Sequence, residues 1–255
     1  MKTALVTGAS SGIGEATATL LRHRGWRVLA GVRRTGSAPE GTEELLLDLH
    51  DPPPLELDTL DGLVLNAGIA HAGPLEFLPL DDLREQLEVN VVGQLAVLQQ
   101  ALPALRGARG RVVLMGSISG LSSLPFLGAY SMSKHALEAM ADALRVELAP
   151  WGIHVALIEP GTIKTPIWTR ERPEPPAAAT ELYGERIDAF RRLAVERGTH
   201  GAPAGTVAAA VEQALTADQP RTRYLVGRDA KLRAQIERLP DRLRDRLLVR
   251  QLFRS

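Results

Sequence analysis

Tyr130 and Lys134 stand four residues apart in Tyr130-Ser131-Met132-Ser133-Lys134. On a helix that spacing puts a phenol and an ammonium on one face, one turn apart. An ammonium beside a phenol favours the phenolate, so such a tyrosine can exchange a proton well below its free pKa of ~10. Lysine is scarce in this chain: of 30 basic residues only Lys2, Lys134, Lys164 and Lys231 are lysine. The spacing equally suits a tyrosine that packs and a lysine that faces water, so the pair must be weighed with its surroundings.

A glycine run, Thr7-Gly8-Ala9-Ser10-Ser11-Gly12-Ile13-Gly14, is the second candidate. Glycines let a backbone turn sharply and approach a pyrophosphate, which a helix N-terminus attracts. The spacing is TGxxxGxG rather than GxGxxG. A tight turn between strand and helix would also use glycine.

These residues need a scaffold, and the apolar pattern supplies one. Short apolar runs at 3–6, 27–30, 45–47, 62–65, 111–115, 153–158 and 224–226 read as strands. Helical stretches separate them: 14–24 closed by Gly25, a long one at 80–105, and 129–149 closed by Pro150 and Gly152. Continuous apolar strands alternating with helices predict a parallel sheet covered on both faces. The fold class is therefore α/β, a doubly wound Rossmann-type three-layer sandwich, with residues 1–255 as a single domain. Residues 162–202 carry Pro166, Pro173, Pro175 and Pro176 and a helical piece at 183–197. An insertion at a strand end is placed to be a substrate lid or a mobile surface loop. In residues 228–255, Leu232, Ile236, Leu239, Leu243 and Leu247 recur at helical spacing among nine basic and four acidic residues. This basic amphipathic extension could dock on its own domain, on a partner subunit, or weakly on a membrane surface.

Composition narrows the classes further. The formal net charge is zero, which gives no general attraction to nucleic acid or anionic membranes. The chain has no cysteine, so disulfides, thiol catalysis and cysteine-held metal are excluded. The six histidines show no ligand spacing, and no metal is expected. The motif at residue 7 leaves no room for a secretory leader, and no apolar run reaches the ~18 residues of a membrane span. The expected compartment is the cytoplasm.

The order of the motifs completes the reading. TGASSGIG, Asn66-Ala67-Gly68, Asn90, Ser117, Tyr130, Lys134 and Pro160-Gly161 follow one another in a way that resembles the short-chain dehydrogenase/reductase family. The resemblance covers residues 1–165, is weaker after 205, and is nearest to hydroxysteroid and retinol dehydrogenase-like members. It implies an oxidoreductase interconverting an alcohol and a ketone or aldehyde. Tyr130 would exchange the hydroxyl proton, Ser117 would bind the substrate oxygen, and Lys134 would bond the nicotinamide ribose and lower the Tyr130 pKa. Asn90 would hold a water that links the lysine to solvent. For the cofactor it implies Gly8, Ser10, Ser11, Gly12, Ile13 and Gly14 at the pyrophosphate and Asp48 and Leu49 near the adenine. Asn66, Ala67 and Gly68 would border the cofactor, and Pro160, Gly161, Ile163 and Thr165 would hold its carboxamide end. Leu65 departs from the family, which often has Asn there. Members are usually dimers or tetramers.

The end of the second strand bears on the cofactor. An acid there would accept the adenosine ribose hydroxyls, but the chain reads Leu29-Ala30-Gly31-Val32-Arg33-Arg34. Guanidinium groups suit a 2′-phosphate, so NADP(H) is favoured over NAD(H), through Arg33 more than Arg34. Both could also be surface arginines. Ile118, Leu121, Phe126, Leu127, Ile69, Ala70, His71, Trp168 and Tyr183 suggest an apolar pocket for a hydrophobic alcohol or ketone, although each could be core. Two rivals stay open: a non-catalytic cofactor-sensing module, and epimerisation or dehydration on the same fold.

Overall fold

The computed structural model describes residues 1–168 and 174–253. The apolar runs become β1 (Thr3–Thr7), β2 (Arg27–Val32), β3 (Glu43–Leu46), β4 (Gly62–Leu65), β5 (Arg111–Met115), β6 (His154–Pro160) and β7 (Arg223–Val226). The helices are α1 (Gly12–His23), α2 (Leu80–Leu87), α3 (Gly93–Ala108), α4 (Gly128–Glu147), α5 (Ala177–His200), α6 (Ala204–Thr216), α7 (Arg228–Ile236) and α8 (Asp241–Phe253). The seven strands form one parallel sheet in the order β3-β2-β1-β4-β5-β6-β7.

Alternate residues of the strands serve two cores. Ala4, Val6, Val64 and Ile158 meet Ala18 and Leu21 of α1 and Val207 and Val211 of α6. Leu5, Leu63, Leu114 and Leu157 meet Val97 and Leu98 of α3 and Leu137 and Leu144 of α4. Helices on both faces of a parallel sheet make the three-layer sandwich that the pattern predicts. The order turns back between β1 and β4, which opens a crevice beyond their carboxyl ends.

Element ends differ from the sequence reading for local reasons. Helix α1 starts at Gly12 rather than residue 14, because Ser11, extended at φ −164°, already serves as its N-cap. Gly25 at φ 81° then ends it in the left-handed region. The expected single helix at 80–105 is instead α2, a π-helical turn over Glu88–Val92, and α3, which runs on to Ala108. Apolar periodicity survives such an inserted turn, so the break leaves little trace in the pattern. The helical piece expected at 183–197 extends over all of α5.

Two further segments frame the site. Residues 162–202 are tied together at their ends: Ala202 N–H donates to Thr162 O and Lys164 N–H to Ala202 O, each at 3.0 Å. Residues 169–173 of this segment, Pro173 included, lie outside the described residues. The C-terminal leucine repeat does not form one docked stripe. A helix break before Pro240 separates α7 from α8, and Leu232, Leu243 and Leu247 are exposed. Leu248, outside the repeat, packs against the cluster of Leu124, Leu127, Phe190 and Ala194.

Candidate active site

The carboxyl ends of the strands surround a cleft of about 1260 Å³ that is open to solvent. Of the expected residues, Gly8, Ser10, Ser11, Gly12, Ile13, Arg33, Asp48, Leu49, Asn66, Ala67, Gly68, Ser117, Tyr130, Lys134, Pro160, Gly161, Ile163 and Thr165 line it. Gly14 and Asn90 stand behind the lining. Arg34 is exposed and outside the cleft wall.

At one end of the cleft the main chain itself is the wall. A Cβ on Gly14 would lie 2.2 Å from Gly8 O and 2.5 Å from Asn66 Nδ2, and one on Gly8 would lie 2.8 Å from Ala67 Cα. Asn66 Nδ2 donates to Thr7 O at 2.9 Å and Gly8 O at 3.3 Å, joining the glycine turn to the end of β4. Thr7 Oγ1 accepts the N–H groups of Asn66 at 2.9 Å and Ala67 at 3.0 Å. The turn therefore presents bare backbone at the N-terminus of α1, whose Ser11 N-cap makes no side-chain cap bond. Such a surface fits the pyrophosphate of a dinucleotide. Arg33 lines the rim and forms no ion pair with a carboxylate among the described residues. Asp48 accepts His50 N–H at 3.1 Å.

A ladder of amides holds the next loop. Gln86, Asn90 and Gln94 are buried and four residues apart. Gln86 accepts His71 N–H at 2.7 Å and donates to Ile69 O at 2.6 Å. Asn90 accepts Ile69 N–H at 2.8 Å and donates to Ile69 O and Ser133 Oγ, both at 3.0 Å. Gln94 donates to Ala67 O. The π-turn carries more residues per turn than an α-helix, which keeps four-spaced side chains in line. These bonds commit both amide protons of Asn90 and one oxygen lone pair, and they bring it to Ser133 rather than into contact with Lys134. Gln86 and Gln94 are absent from the sequence reading, and Thr7 enters it only as the first residue of the glycine run. The four-residue spacing of Gln86, Asn90 and Gln94 is visible in the sequence, but charged neighbours such as Arg84, Glu85 and Glu88 make Gln86 look like a solvent-facing residue.

Ser117, Tyr130 and Lys134 meet at the floor of the cleft. Ser117 follows β5 and caps the 3-10 turn Ile118–Gly120, its Oγ accepting Ser119 N–H at 3.1 Å. The Ser117 hydroxyl lies close enough to the Tyr130 hydroxyl to favour its phenolate. Lys134 is 4% exposed, lies with Nζ 5.5 Å from the Tyr130 ring centroid, and donates to Met115 O at 2.7 Å. The expected lowering of the Tyr130 pKa is not what these groups produce. Burial pushes the phenol up to about 12 against the opposing effect of the Ser117 hydroxyl. Burial also pushes the Lys134 ammonium down to about 8, which weakens the charge that would favour a phenolate.

The apolar side is only partly as expected. A second, smaller cavity next to Ser117 is lined by Ile118, Leu124, Leu127, Phe190 and Arg233. Phe126 and Tyr183 stack edge to face at 6.2 Å, and Tyr183 donates to Glu76 at 2.8 Å. His71 pairs with Glu85 at 2.8 Å, and Leu121 lines neither cavity. The Trp168 side chain lies outside the described residues. Phe190 and Ala194 were missed, although their four-residue spacing on α5 gives one apolar face. No cluster of metal-ligating side chains occurs among the described residues, and no described helix is long and apolar enough to cross a membrane.

The family described as short chain dehydrogenase matches residues 2–50 and 54–176. The chain belongs to the short-chain dehydrogenase/reductase family. Its members are oxidoreductases that use nicotinamide cofactors on alcohol or carbonyl groups. An NADPH-dependent 3-dehydrocapnine reductase of Ornithobacterium rhinotracheale is 34% identical over 99% of this chain and 98% of its own. Retinol dehydrogenase 5 of Mus musculus is 37% identical over 89% of this chain and 81% of its own. A short-chain dehydrogenase structure from Streptomyces avermitilis superposes with a TM-score of 0.77 at 29% identity, covering 98% of this chain and 96% of that one.

Proposed function

We propose that this short-chain dehydrogenase/reductase is NADP(H)-dependent and interconverts a hydrophobic alcohol with its ketone or aldehyde through Ser117, Tyr130, Lys134 and Asn90. The observation that carries the reading is the convergence of Ser117, Tyr130 and buried Lys134 on one cleft. The nicotinamide, when bound, supplies or accepts the hydride. Ser117 orients the substrate oxygen and stabilises its developing charge. Tyr130, whose burial keeps it protonated at neutral pH, is set to give its proton to a carbonyl oxygen. Lys134 lies one turn along the same helix, where its ammonium can reach a ribose hydroxyl. Asn90 fixes the Ile69 peptide and Ser133 beside the Tyr130–Lys134 turn.

Glycines 8, 12 and 14 with Ser10, Ser11 and Ile13 form the pyrophosphate cradle in this reading. Asp48 and Leu49 flank the adenine, Asn66-Ala67-Gly68 borders the ribose, and Pro160, Gly161, Ile163 and Thr165 hold the carboxamide end. Arg33 at the rim and the NADPH dependence in the name of the Ornithobacterium rhinotracheale relative support NADP(H). The apolar cavity next to Ser117 supports a hydrophobic substrate. The same reading includes a cytoplasmic homodimer or homotetramer, to be tested by cell fractionation and light scattering. Absorbance of the reduced nicotinamide over a panel of ketones, aldehydes and alcohols tests the activity, and titrations of NADPH and NADH test the cofactor. Turnover of apolar carbonyls with NADPH is expected. Tighter binding of NADH would sink the NADP(H) assignment.

A further inference from the structure

The four-residue spacing that joins Tyr130 to Lys134 continues along α4 to Glu138 and Asp142. Four-spaced residues share one side of a helix. Glu138 packs under the turn that follows Ser117: a Cβ on Gly120 would lie 2.9 Å from Glu138 Oε1 and 3.0 Å from Lys134 O. From β6 comes Glu159, 1% exposed, in the residue before Pro160-Gly161. The Glu138 and Glu159 carboxyls face each other closely enough that each alters the other's ionisation. Each nevertheless keeps a buried Oε1 that meets no donor.

The charged groups around the pair are already engaged. Arg223 of β7 donates to Glu138 Oε2 through Nε at 3.2 Å and Nη2 at 3.1 Å, and to Asp142 Oδ1 at 2.8 Å. Arg145 holds Asp142 at 2.7 Å. Lys134 gives its Nζ to Met115 O, and Asp229 of α7 turns its carboxylate to Thr162 N–H. Two ionised carboxylates in contact inside a protein repel strongly, and neither has a proton to offer the other. One proton between them removes the repulsion and supplies the missing donor.

We propose that Glu138 and Glu159 hold one proton between them and act as a positioning pair. The acid–carboxylate bridge fixes α4, with Tyr130 and Lys134, against the Ser117 turn and the Pro160-Gly161 end of β6. This rests on the proton-transfer reading of Ser117, Tyr130 and Lys134. Burial first, and the Glu138 charge second, push Glu159 up from 4.5 to about 7. Between those values the folded protein holds more protons than the unfolded chain, so this pair's stabilisation falls as pH rises through the window. Glu159→Gln can donate to Glu138 at every pH, and Glu159→Ala cannot.

The experiment compares the full chain with both variants. The wild-type melting temperature should fall relative to Glu159→Gln between about pH 4.5 and pH 7 and run parallel to it above. A protonated-carboxyl infrared band in wild type should vanish as pH rises past this window and be missing in Glu159→Gln. Glu159→Ala should lose roughly 10–100-fold in kcat, as misplaced reacting groups do, with the NADPH dissociation constant changed less than about threefold. Glu159→Gln should recover most of that kcat. Parallel melting curves throughout the window would overturn the shared proton, and so would the lack of a titrating carboxyl band in wild type, a measurement that needs neither variant to fold. Equal kcat losses in Gln and Ala would overturn the positioning role. Normal turnover by Tyr130→Phe would instead overturn the proton-transfer reading and leave the melting and infrared outcomes as they stand.

Discussion

The two walls of the cleft are held by different means. The wall at β1 and β4 is main chain gripped by polar groups: Thr7, Asn66, Gln86, Asn90 and Gln94 all bind peptide groups there. The wall at α5 is held by side-chain packing, with Phe190 and Ala194 against Leu124 and Leu127 and the Phe126, Tyr183 and Phe77 rings edge to face. A wall made of backbone accepts one shape and tolerates little. A wall made of exchangeable apolar side chains can be refitted. The first suits a cofactor and the second a substrate.

The comparison breaks most sharply at the floor where the walls meet. Tyr130→Phe should lower kcat by about 10²–10⁴-fold, the usual worth of a positioned proton donor, with the NADPH dissociation constant nearly unchanged. Single-turnover kinetics and fluorescence titration separate the two. On the backbone wall, Gly14→Ala should cost about 1–3 kcal/mol of stability and weaken cofactor binding, since its Cβ meets Gly8 O at 2.2 Å. Gly73→Ala, which meets nothing within 4 Å, serves as the control in the same thermal melts. Arg33→Ala should weaken NADPH about 10–100-fold, the worth of a lost charge-assisted hydrogen bond, and change NADH little. On the packed wall, Phe190→Ala should raise substrate KM several-fold and cost less stability than the ~2–5 kcal/mol of a truncation such as Leu63→Ala. Equal losses at Phe190 and Leu63 would show that both walls belong to one cooperative core.

What the sequence discloses follows the same division. Gly8, Gly14 and Gly161 are legible because backbone or a neighbour fills the space of a side chain: a Cβ on Gly161 would meet Asp229 Oδ1 at 2.2 Å. The strands and the two-faced sheet are legible because burial on both faces forces continuous apolar runs. Gln86 and Gln94 were not, because glutamine on a helix ordinarily faces water. The direction of the Tyr130 shift was missed for a related reason: spacing reports that an ammonium is near, but not how much water is gone. At the C-terminus the leucine period was real, yet Leu248 rather than Leu247 meets the protein, because the helix starts again after Pro240.

The amide ladder has a consequence for how such a protein can change. Gln86, Asn90 and Gln94 address the 67–71 loop through its peptide N–H and C=O groups and never through its side chains. The loop can keep its course with other residues at positions 69, 70 and 71, so long as 69 and 71 keep the N–H that proline lacks. A lineage can therefore trade those three side chains while the Ser117, Tyr130 and Lys134 arrangement stays as it is.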